Sequence, residues 1–211
     1  MVWRYFHKKV ELSKRNEFTI WTETMALPFK FSSPYRIAAF FIRKGFETKL
    51  LMSQKTRYKS KAPLECSQVA RGEERLFSNF FTAYNDFLRR YIASNILDQK
   101  PNLSEIREAL STGSPAILLV DSYYTAKARG ARNPPHLPHW IVVTGYEGER
   151  FHINDSIHEK GLKTGKITTE GSRLSKAMDT HSRLGWPSAL ILVGPNRNKP
   201  IHCVGGAGLK E

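Results

Sequence analysis

Apolar positions change their period part-way along the chain, from helical spacing in the first half to strand-like runs in the second. Phe18, Trp21 and Met25 recur at i, i+3 and i+7, which predicts a helix over about 11–25. Ser33-Pro34 supplies a cap followed by proline at the first helical position; Ile37, Phe40 and Phe41 then form an apolar face that Gly45 closes. Phe46 to Met52 reads as a strand, and 60–72 is polar and irregular. Leu76, Phe77, Phe80, Tyr84, Phe87, Leu88 and Tyr91 predict a helix within 73–97 whose aromatics belong to the core. Asn102 to Thr112 is a short helix ended by Gly113, and Pro115 to Val120 is a buried strand. Residues 124–138 read as a basic, proline-rich loop, followed by a hairpin, a helix near 168–181 and a last strand from Ser188 to Val193. This is an α+β pattern, N-terminal helices packed on a mostly antiparallel sheet. It predicts one domain over 1–193 and a loosely ordered tail over 194–211. Val2 to His7 reads as the end of an amphipathic helix, because one turn alone is not stable.

The hairpin carries the most chemistry. His139 opens one strand (His-Trp-Ile-Val-Val-Thr-Gly-Tyr) and Asp155 closes the next (Arg-Phe-His-Ile-Asn-Asp). A connection symmetric about residue 147 places His139 opposite Asp155, with Ile141 facing Ile153 and Val143 facing Phe151. Opposed side chains have Cβ atoms roughly 4.5–5.5 Å apart, close enough for a carboxylate to hold an imidazole in one tautomer. A two-residue loop puts Ser156 opposite His139 instead. Asn154, the neighbouring orienter, falls on the other strand face.

Composition narrows the field. The chain has 211 residues, 40% of them hydrophobic and 11% aromatic, enough for one real core. The 33 Lys+Arg against 19 Asp+Glu give a net charge of +14, which attracts polyanions. Charge alone defines no site, and no recognition-helix motif accompanies it, so a nucleic-acid partner is possible but not favoured. Cys66 and Cys203 are too few for a disulfide scaffold and suit a reducing, cytoplasmic compartment. No apolar run reaches the roughly 18 residues of a membrane span.

Other candidates are weaker. Cys66 precedes His139 but sits in Pro-Leu-Glu-Cys-Ser, where Glu65 opposes thiolate formation; Cys203 lies in the tail, and both read as free thiols. His136, His139, His152 and Asp155 offer loose spacing for zinc, and His152 alternates away from the His139 face, so no metal and no cofactor is expected. His7, His158, His181 and His202 belong to no constellation. Ser122 lacks a nucleophile elbow and is at most a pocket wall.

The His139 strand followed by Asp155 sixteen residues later resembles the His and Asp motifs of the bacteriocin-processing, double-glycine-leader cysteine peptidases, within the papain-like superfamily. Related peptidase-like domains share the strand Ile117–Ser122, the loop ending Pro-His-Trp, the helix–strand element at 168–193, and the segments around Glu17–Thr24 and Arg43-Lys-Gly-Phe46. The resemblance implies a papain-like fold and amide hydrolysis of a peptide or protein substrate, with His139 and Asp155 as catalytic residues. Where that pattern has proline after the Asp, this chain has Ser156. The family nucleophile is a Cys in a Cys-Gly-Pro context at the N-terminus of the first helix, preceded by Gln; a helix N-terminus favours thiolate. The resemblance aligns residues 1–7 with the later part of that helix, so the matching Cys and Gln are expected ahead of Met1. A late start or a truncation is favoured over a lost nucleophile, and the chain by itself is expected to be inactive or nearly so.

Overall fold

The structure, a computed structural model, describes residues 2, 6, 13–24, 32–53, 74–155, 165–183 and 188–195. Its helices are α1 (Lys14–Thr24), α2 (Pro34–Arg43), α3 (Glu74–Tyr91), α4 (Leu103–Ser111), α5 (Ser122–Ala128) and α6 (Gly171–Arg183). The strands are β1 (Glu47–Met52), β2 (Ile96–Leu97), β3 (Ala116–Asp121), β4 (Pro138–Glu147), β5 (Arg150–Asp155), β6 (Lys166–Glu170) and β7 (Ala189–Gly194). They form a single sheet in the order β2-β1-β7-β3-β4-β5-β6, antiparallel except for the β1–β2 pair.

Helices cover both faces of this sheet. On one face Ile37, Phe40 and Phe41 of α2 and Leu88 of α3 pack on Leu50, Ile117, Leu119 and Ile191. On the other, Ile106 of α4 and Leu174, Ala177 and Met178 of α6 pack on Leu118, Ile141, Val143 and Ile153. Being covered twice explains why all six residues of β3 are buried and why its sequence reads as an unbroken apolar run. Val2 is buried in the first of these cores, and Phe6 packs on Phe46 with ring centroids 5.3 Å apart.

Several sequence expectations are corrected. Residues 124–138 are not all loop: Ser122–Ala128 is helical, capped by the Asp121 carboxylate, whose Oδ1 accepts the Tyr123 N–H at 3.0 Å. Strands β2 and β6 were not expected. Phe18 is 61% exposed, and among the described side chains of α3 the buried ones are Asn85 and Leu88, while Phe87 is 60% and Tyr91 54% exposed. The side chains of Trp21, Leu76, Phe77 and Phe80, and the tail beyond 195, lie outside the described residues. Among the described residues no helix is long and apolar enough to cross a membrane.

The hairpin register also differs. Its turn is Gly148-Glu149, with Gly148 at φ 56° and Glu147 paired with Arg150. That register alone would turn Asp155 to the face opposite His139. A bulge between Val143 and Gly145 takes up one residue, after which Val143 faces Ile153 and Ile141 faces Asp155. Asp155 therefore lies opposite Ile141 and not opposite His139. Between His139 and Val143 the slip from the expected register is two residues, so the side chains there keep their faces.

Candidate active site

His139 and Asp155 are diagonal neighbours on one face of β4 and β5, a relation that long side chains can span. They do so here: His139 Nε2 lies 2.6 Å from Asp155 Oδ1. A carboxylate only accepts, so the Nε2 proton is the one shared, and the lone pair of the neutral ring resides on Nδ1. Among the described residues Nδ1 has no hydrogen-bond partner. The His139 side chain is 12% exposed and that of Asp155 fully buried. Val120 of β3 is the direct cross-strand neighbour of His139, so an apolar wall backs the imidazole.

Asp155 is held from two more directions. Its Oδ2 lies 3.5 Å from Nη2 of Arg129, whose side chain is also fully buried. Its backbone N–H donates to the Gly165 carbonyl at 2.6 Å. Gly165 approaches so closely that a Cβ there would fall on the Asp155 carbonyl oxygen. Gly165→Ala is therefore expected to displace the backbone at Asp155 and to cost about 1–3 kcal/mol, as overpacked sites do. A urea-unfolding midpoint unchanged from wild type would contradict this.

A second His–carboxylate pair stands at the same end of the sheet. His136 Nδ1 donates to Oδ2 of the buried Asp121 at 2.6 Å, and the imidazole stacks on Tyr123 with centroids 4.4 Å apart and planes 10° from parallel. Ser122 fixes the loop that carries His136: its N–H donates to the Leu137 carbonyl at 2.8 Å and its Oγ to that of Pro135 at 3.1 Å. Ser122 thus serves the loop and is not a nucleophile position.

A model of the Peptidase_C39 like family matches residues 1–184. The chain belongs to this family. No curated protein and no solved structure matches it. Membership makes this a peptidase-like domain, and the mixed α/β sheet with flanking helices agrees with a papain-like architecture.

Within this Peptidase_C39-like domain, the histidines and acids once considered for a metal are drawn apart. His136 is taken by Asp121 and His139 by Asp155, while His152 lies on the other strand face with Nδ1 3.3 Å from Thr168 Oγ1. Asn154 also falls on that other face, opposite Val142. Cys66, Cys203, His7, His158, His202 and the His181 side chain lie outside the described residues. The sequence reading missed Arg129 and the Asp121–His136 pair. Asp121 had a readable signal, an acid between an apolar strand and a run that can start a helix. The burial of Arg129 had none.

Proposed function

We propose that this domain hydrolyses amide bonds by cysteine chemistry, with His139 as the general base and acid and with Asp155 and Arg129 as positioning residues. The observation that carries the reading is the 2.6 Å hydrogen bond from His139 Nε2 to a buried carboxylate in a member of a peptidase-like family. With Nε2 engaged, Nδ1 is the nitrogen that takes the proton from a thiol. The thiolate attacks the amide carbonyl, and the imidazolium returns that proton to the departing amine. Water then hydrolyses the thioester, restoring thiol and imidazole. Arg129 sets its positive charge beside the Asp155 carboxylate.

The reading leaves the thiol to the Cys-Gly-Pro segment that the resemblance places ahead of Met1, with its Gln helping to hold the oxyanion. In-frame codons for such a segment upstream of Met1 support this, and a stop codon directly upstream contradicts it. Cleavage is expected of the protein that carries this thiol, and the rates of variants are compared in that protein. A reduced thiol also suits the cytoplasmic compartment expected from two cysteines in 211 residues.

The two His–carboxylate pairs allow an internal comparison. Asp155→Asn is expected to lower the peptide-cleavage rate about 10²–10⁴-fold, the usual share of a positioned acid–base group. Asp121→Asn, which keeps a capping side chain on α5, is expected to lower it less than about tenfold. Equal losses in the two variants, measured as kcat/KM, would contradict the assignment.

A second reading, a non-catalytic module that grips a peptide or polyanion, rests on the net charge of +14 and on Arg89 and Arg90 beside the exposed Phe87 and Tyr91 of α3. It expects binding to be indifferent to His139→Gln and to weaken steeply with salt.

A further inference from the structure

The Asp121–His136 pair is not used by the proposed reaction, yet it is built with care. Both oxygens of the buried Asp121 carboxylate are committed, one to the Tyr123 N–H and the other to His136 Nδ1. The His136 side chain is nonetheless 47% exposed, so the ring presents its Nε2 edge to solvent. Tyr123 lies flat against the imidazole, and Lys127 Nζ sits 5.7 Å from the Tyr123 centroid. Lys127 is itself tied back to the Arg132 carbonyl, which holds its charge beside the stack.

The charge on the segment that carries this stack has one sign. Between Asp121 and Glu147 the sequence has Lys127, Arg129, Arg132, His136 and His139 and no acid. The two acids in reach, Asp121 and Asp155, are buried and bonded. The rim above the site is thus basic, with no exposed carboxylate of its own on this loop to neutralise it.

Position ties the rim to the reaction. His136 and His139 are three residues apart, so their Cα atoms are separated by at most about 11 Å. From the other side, Arg129 directly after α5 reaches Asp155. An extended peptide advances about 3.3 Å per residue, so a chain with its reacting carbonyl at His139 presents a side chain two or three residues away to His136.

We propose that His136, stacked on Tyr123 and flanked by Lys127, is a recognition subsite for a carboxylate side chain of the substrate, two or three residues from the bond that is cut, and that the ring meets this ligand as the imidazolium, its Nδ1 proton on Asp121 and its Nε2 proton on the ligand. This inference rests on the peptidase reading for its distance from the scissile bond, but the subsite itself binds whether or not cleavage follows. Asp121 makes the subsite rigid, since it orients the imidazole from a buried position without presenting charge to the ligand.

The test separates binding from cleavage. Fluorescence anisotropy on the full chain would compare otherwise neutral, labelled decapeptides carrying a single Glu, moved position by position, each against its Gln counterpart. One position is expected to prefer Glu by about fivefold, the scale of a partly exposed ion pair. That preference should vanish in His136→Asn, whose amide nitrogen still donates to Asp121 but which lacks the Nε2 edge, and should shrink in Lys127→Met. Equal affinity of Glu and Gln peptides at every position, including no binding of either, would overturn the subsite, as would an undiminished preference in His136→Asn. Glu preference without cleavage by the protein that carries the upstream cysteine segment would count against the peptidase reading alone. Cleavage without Glu preference would count against the subsite alone.

Discussion

Arg129→Met is expected to destabilise the domain by about 3–5 kcal/mol, because it strips the fully buried Asp155 of a fully buried cationic neighbour. In a chain of this length that is a fall in melting temperature of about 6–20 °C. The loss comes from stranding a charge and not from the net worth of the pair. Asp155→Asn in the same background should therefore recover part of it, and the two substitutions should be non-additive. Arg129→Lys should fall between wild type and Met, since a compact ammonium keeps the charge but not the planar reach of a guanidinium. Thermal unfolding of wild type, Arg129→Met, Asp155→Asn, the double variant and Arg129→Lys checks all three statements. A melting temperature for Arg129→Met within a degree or two of wild type would remove Arg129 from the site.

His139→Gln carries the largest expected effect on function. The Gln amide nitrogen can stand where Nε2 stands and donate to Asp155, so the fold and the buried carboxylate keep their support. Nothing then remains at the Nδ1 position to accept a proton. Peptide cleavage should fall by about 10²–10⁴-fold, in kcat more than in KM, because the group acts in the transition state and not in ground-state binding. A variant that kept its cleavage rate while unfolding at the wild-type temperature would show that His139 is a structural histidine at a strand end.

Much of this architecture is legible in the sequence, for physical reasons that differ by element. The run Ala116–Val120 announces a strand covered on both faces, and Ser33-Pro34 with Ile37, Phe40 and Phe41 fixes the start and buried side of α2. The hairpin is legible as a His–acid pair on one face, but its register is not. Gly145 inside a strand pattern is the mark of a bulge, and the one residue taken up there restores the shared face of His139 and Asp155. Helix α5 escapes periodicity because Thr125 and Ala126 bury it without any large apolar stripe. The exposed Phe87 and Tyr91 show the converse, a stripe wider than the face that packs. The support from Arg129 and the pairing of Asp121 with His136 are tertiary facts, joining residues through a fold that no local pattern encodes.

The most direct test of the central claim is the intact mass of the protein, produced from its own gene, after exposure to a peptide vinyl sulfone. The account predicts one adduct on one cysteine, formed quickly in the wild type and at least about a hundredfold more slowly in His139→Gln. No adduct on either protein, or equal labelling of both, would contradict it.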